Sequence, residues 1–103
     1  MSFELIIKEE ATGDIIEAAN WYEEQQPFLG NEFLEEVSAT LSIIKSNPYL
    51  FQVQKKGIRY GFIKRFPYLI IYKVEEQIVI VFAIIRVQQN PQKRQIRTRK
   101  KNE

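Results

Sequence analysis

The sequence predicts an α+β fold, in which a helical hairpin packs on one face of a small, mostly antiparallel sheet in the order β-α-α-β-β-β. Three observations predict it. Apolar residues recur at helical spacing over two successive stretches of the first half. From Ile58 onward the period changes to two. From Ile58 to Val87 the chain is broken by one proline and one short polar turn, which suit hairpins better than long crossovers. The 103 residues are read as a single domain over 1–95, followed by a basic tail at 96–103 whose composition suits a frayed terminus as well as a partner contact.

The elements follow in order. Residues 3–8, FELIIK, form a strand with Phe3, Leu5 and Ile7 on one face. The next stretch, EEATGDIIEAANWYEEQQ, places Ala11, Ile15, Ala19 and Tyr22 on one side of a helix and acids on the other; Gly13 weakens its first turn. Pro27 and Gly30 break that helix. A second helix runs from about Asn31 to Ser46 with Phe33, Val37, Leu41 and Ile44 as its stripe, and Asn47-Pro48 ends it. A loop this short makes the two helices an antiparallel hairpin. In IRYGFIKRF, Ile58, Tyr60, Phe62, Lys64 and Phe66 share one strand face and Arg59, Gly61, Ile63 and Arg65 the other. Pro67 belongs at a strand start or edge. YLIIYKV then turns at Glu75-Glu76-Gln77 into IVIVFAIIRV, whose apolar character on both faces marks a central strand covered on both sides. The sheet face away from the helices is left partly open, and the bases of the second half are candidates to line it.

Composition limits the chemistry. The chain has no cysteine and no histidine, which removes disulfides, thiolate metal sites and the commonest metal ligand and acid–base group. No metal and no cofactor is expected, and the glutamates of the two helices read as solvating residues. There is no Walker loop, GxGxxG or nucleophile elbow. No apolar run is long enough to span a bilayer, and MSFELIIKEE is too short and too charged for a signal peptide, so a cytoplasmic protein is expected. Residues 1–50 hold ten acids and two bases, whereas residues 51–103 hold three acids and thirteen bases. That asymmetry suits a polyanion or an acidic protein partner for the second half, or attraction between the two halves.

WYEEQQPFLGNEFLEEV, NPYLF, IRYGFIKRFPYLIIYKV and IVIVFAIIRVQQNPQKR, taken in that order, cover about residues 3 to 95. Together they resemble the RelE/ParE superfamily of toxins from type II toxin–antitoxin systems, in its ParE-like branch, with RFPYLIIY the most specific piece. The resemblance implies a small toxin neutralised by a cognate antitoxin, with DNA gyrase as the target of ParE-like members and ribosome-bound mRNA as the substrate of RelE-like ones. It also implies an oligomer formed through the antitoxin complex. RNA cleavage needs a group to activate the 2′-hydroxyl and cations on the phosphate. The positions that RelE-like members give to a catalytic arginine and two lysines fall here at Leu69 and near Tyr60 and Phe62, so no catalytic residue is assigned. Many ParE-like members carry a histidine and, three residues on, an arginine where this chain has Arg86 and Gln89.

The expected reading is therefore a gyrase inhibitor acting by binding; a ribonuclease using Arg59, Lys64, Arg65 and Arg86, or a non-toxic member that only binds antitoxin, are the alternatives. Arg59, Lys64, Arg65 and Arg86 are the candidate cations for an acidic antitoxin segment or a target. Lys64 and Arg65, as neighbours in a strand, point to opposite faces. Trp21 cannot share the core with its neighbour Tyr22, and closes the helical hairpin or enters a partner's groove. The tyrosines of the hairpin read as cover for the sheet.

Overall fold

The computed structural model describes residues 3–87. Within them lie β1 (Glu4–Ile7), α1 (Glu9–Gln25), α2 (Leu29–Ser46), β2 (Val53–Lys55), β3 (Ile58–Phe62), β4 (Tyr68–Glu75) and β5 (Ile78–Arg86). The described strands form one sheet in the order β1-β5-β4-β3-β2, with β1 parallel to β5 and the other pairs antiparallel. This is the expected helical hairpin on a small α+β sheet. The basic tail and Gln89 lie outside the described residues.

The helix stripes read from the sequence are the ones buried. Ala11, Ala19 and Tyr22 of α1 meet Phe33, Val37 and Ile44 of α2 over Ile70, Tyr72, Val79, Val81 and Ile84 of the sheet. Each large apolar side chain buried there contributes about 1.5–3 kcal/mol. Tyr72 is fully buried and is satisfied, because its hydroxyl donates to the Pro48 carbonyl at 2.7 Å. Burial pushes its phenol up to about 12, against a smaller lowering by Arg59.

The helical hairpin turns through Phe28, which takes a left-handed conformation (φ 72°) and is largely exposed. Glu23 makes this turn possible. Its two carboxylate oxygens accept the N–H groups of Phe28 (2.9 Å) and Gly30 (3.0 Å), satisfying donors that a helix start leaves orphaned. With that cap supplied from α1, α2 begins at Leu29, two residues before the expected Asn31. Gly30 then lies so close to α1 that a Cβ would stand 2.5 Å from the Ala19 carbonyl oxygen.

Three features depart from the expectation. First, β2 is an additional edge strand, joined to β3 by the two-residue turn Lys56-Gly57 at φ 54° and 78°. It has three exposed residues, too few to show a period. Second, β3 stops at Phe62 instead of continuing to Phe66. Ile63 and Phe66 are both buried, and an extended strand would send them to opposite faces; a turn with Arg65 at φ 70° lets both reach the core. Third, the β4–β5 register jumps from Ile71–Ala83 to Tyr72–Val81, so that Phe82 is the extra residue of a bulge. The bulge changes which face each later residue takes. Val79 and Val81 are buried under the helices before it, and Ile84 after it.

Helices cover one sheet face only. β5 is central in the strand order, but its second face is shielded by neighbours such as Ile6, Ile71 and Tyr60 and not by another layer. Of the bases expected on that face, register places Lys73 there, whereas Arg59 and Arg86 lie on the helix side.

Candidate functional site

Arg86 ends up beside α1 because of the bulge. Two residues beyond Ile84, it shares the helix-facing side, and its guanidinium carbon stands 5.9 Å from the centre of the Trp21 ring. Without the extra residue at Phe82, alternation would turn Arg86 toward the open face and Ile85 toward the helices. The two residues form one end of a surface recess of about 260 Å³, completed by Asp14, Glu17, Ala18, Tyr68 and Ile84. Trp21 is about half exposed (47%) and packs edge-on against Tyr22 at 5.1 Å between ring centres. Behind it, Tyr22 contacts Phe66 and Tyr68 in the same edge-to-face manner. Burial raises the Tyr22 phenol, Tyr68 raises it further and Arg86 partly opposes them, so the phenol is neutral at physiological pH.

The acids of the recess differ in their duties. β1 pairs with β5 only as far as Val81, and beyond it the N–H of Ile84 is taken by an Asp14 carboxylate oxygen at 3.0 Å. Asp14 therefore closes the edge of β5 where β1 ends. Arg86 makes no ion pair within 4 Å among the described residues, although Glu17 lines the same recess. A guanidinium laid over an indole, with a neighbouring tyrosine, suits a carboxylate carried beside an apolar or aromatic group.

The remaining candidate cations are elsewhere. Arg59 donates to the Phe51 carbonyl at 2.6 Å and lies 5.1 Å from the Tyr49 ring centre, which pins the 47–52 loop against β3. Arg65 bonds to Glu32 at 2.6 Å and Glu36 at 3.2 Å on α2, and lies over the Phe66 ring. Lys64 is exposed and lines a second depression, of about 400 Å³, with Glu36, Ala39, Thr40, Ile43, Leu50, Phe51 and Phe62. The structure thus brings Trp21 and Arg86 together, keeps Lys64 at a separate groove, and holds Arg59 and Arg65 in contacts within the fold. Sequence reasoning missed Tyr68, Asp14 and Glu17 as neighbours of Arg86, because the register jump that aligns them has no mark in the strand pattern. It also missed the apolar groove, although Leu50 carried a signal as a large apolar residue with no place in a stripe; Phe62 reads into a strand face.

The family profile described as the ParE toxin of the type II toxin–antitoxin system, parDE, matches residues 5–91. The chain belongs to this family of type II toxin–antitoxin toxins. No curated protein matches it significantly. A solved structure described as a chromosomal ParDE toxin–antitoxin system from P. aeruginosa superposes with a TM-score of 0.75, at 16% identity, over 84% of this chain and 97% of that one. At that identity the likeness establishes the fold. No helix among the described residues is long and apolar enough to cross a membrane.

Proposed function

We propose that this chain is the toxin of a type II module that arrests growth by binding DNA gyrase and is held inactive by a cognate antitoxin, which sets an acidic side chain against Arg86 and Trp21. Family membership supports the toxin role. One observation carries the choice of binding over RNA cleavage: Leu69, Tyr60 and Phe62, all uncharged, occupy the open sheet face, at or near the positions where the resemblance to ribonuclease members would put the catalytic bases. The cations that remain do not converge. Arg59 is held by a loop carbonyl and Arg65 by two glutamates, so neither is poised to share a phosphate with Arg86.

The experiment is a supercoiling assay with purified gyrase and purified chain. Inhibition relieved by adding the antitoxin is the expected result. Undiminished supercoiling at a large excess of the chain would remove gyrase as the target.

A further inference from the structure

The sheet face away from the helices is apolar, and no element among the described residues covers it. Register sets Leu69 between Phe62 and Ile85 on this face, and Ile71 between Tyr60 and Ala83 in the row beside it. The next row runs Lys55, Ile58, Lys73, Ile80 and Ile6 across the sheet, and the last holds Glu75, Ile78 and Glu4. Ile6 (40%) and Ile85 (44%) are exposed although their neighbours in the rows are apolar. The charges of the face are sorted to its margins. Lys55, Lys56 and Lys73 gather at the β2–β3 corner, where the Lys73 Cε stands 3.6 Å from the place a Cβ on Gly57 would take, and Glu4 lies on the opposite margin in β1. None of these four makes an ion pair among the described residues.

We propose that this face is a contact between two copies of the chain, packed sheet on sheet about a twofold axis that runs along the strands between β4 and β5. Such an axis lays β4 over the partner's β5 and β3 over the partner's β1 with the rows in step, in the aligned packing rotated by about 30° that is usual for sheets. Leu69 then meets the partner's Ile85, Ile71 the partner's Ala83 and Ile58 the partner's Ile6. Glu4 of each copy enters the corner of Lys55, Lys56 and Lys73 on the other. An axis across the strands would instead set Glu4 against the apolar end of the partner, so the charges select the first arrangement. At a strand spacing of ~4.8 Å and a rise of ~3.3 Å per residue, β1, β5, β4 and β3 present about 400 Å² of sheet. Two such faces bury on the order of 1,000 Å² once side-chain relief is counted, the size of a specific but reversible contact, for which a micromolar dissociation constant is expected. Segment 88–103 offers one large apolar side chain, Ile96, among six bases, and so lacks the means to cover the face itself. An acidic segment would find no cation over the rows of Leu69 and Ile71. The face lies opposite the Arg86–Trp21 recess, and the inference stands apart from the antitoxin reading.

The test is sedimentation equilibrium of the purified full chain at concentrations up to about 200 µM, beside Ile85→Glu, Ile6→Glu, Glu4→Lys and Glu4→Lys/Lys56→Glu chains of unchanged thermal midpoint. A dimer is expected, weakened at least tenfold by either apolar substitution and at least threefold by Glu4→Lys, and restored in the doubly reversed chain. Because Glu4 and Lys56 stand on opposite margins of one sheet, that rescue reads a contact between copies and not one within a copy. A monomer throughout the range, or a dimer indifferent to both Ile85→Glu and Ile6→Glu, would overturn the contact. A dimer weakened by those two changes but not rescued by the double reversal would overturn the twofold along the strands.

Discussion

At the scale of single residues, Tyr72 shows how a polar group is carried inside this core. Its ring fills the space between Ile44, Ile70 and Val81 and its hydroxyl reaches Pro48, joining the end of α2 to the sheet. Tyr72→Phe keeps the ring and leaves the Pro48 carbonyl without its donor, at a cost of about 1–2 kcal/mol, measurable by urea unfolding at pH 7. The pH dependence follows from the raised phenol. Folding favours the neutral form, so this contribution is whole below the ordinary tyrosine value near 10 and is lost as pH rises from there toward 12. Tyr72→Phe is accordingly expected to lose less stability than the parent between pH 10 and 12. Arg86 is the residue-level test of function. Arg86→Glu sets a carboxylate beside Trp21 and Glu17, and is expected to weaken antitoxin binding by tenfold or more with the thermal midpoint little changed; unchanged affinity by titration calorimetry would exclude the recess.

At the scale of elements, the helices were legible and the sheet details were not. Ala11, Ala19, Tyr22, Phe33, Val37 and Ile44 declared themselves through spacing because a helix repeats over many turns. β2 did not, having three exposed residues, and neither did the end of β3, where the pattern of two ran on through residues that in fact form a turn. That turn is set by tertiary needs, the burial of both Ile63 and Phe66 and the pairing of Arg65 with α2. The bulge at Phe82 was equally silent, since apolar residues occupy both faces of β5 and either register reads alike. Cations at these positions were visible as candidates, but which face each took depended on features that the alternation concealed. The α1–α2 contact offers a test at this scale. Gly30→Ala drives a methyl group into the Ala19 carbonyl and forces the helices apart, with an expected loss of about 1–3 kcal/mol by denaturant titration.

At the scale of the whole molecule, the opposed charge of the two halves resolves into layers. The acids lie mostly on the two helices, and within the described residues the bases, apart from Lys8 at the start of α1 and Lys45 at the end of α2, are distributed among the sheet, its turns and its edges. Arg65 shows attraction between the layers directly, while Arg86 and Lys64 remain available to a partner on different sides of the β3–β4 turn. Family and fold were readable from RFPYLIIY and its flanking patterns, whereas the grouping of cations needed three dimensions. In the function proposed above, a ParE-family chain with Leu69 at, and Tyr60 and Phe62 near, the ribonuclease positions inhibits gyrase and leaves RNA intact. Induction of the chain in bacteria without its antitoxin tests this most directly, with DNA-damage induction and messenger integrity followed together. Growth arrest with the damage response switched on and messages intact is expected of a gyrase inhibitor; rapid cleavage of messages without damage induction would overturn that role.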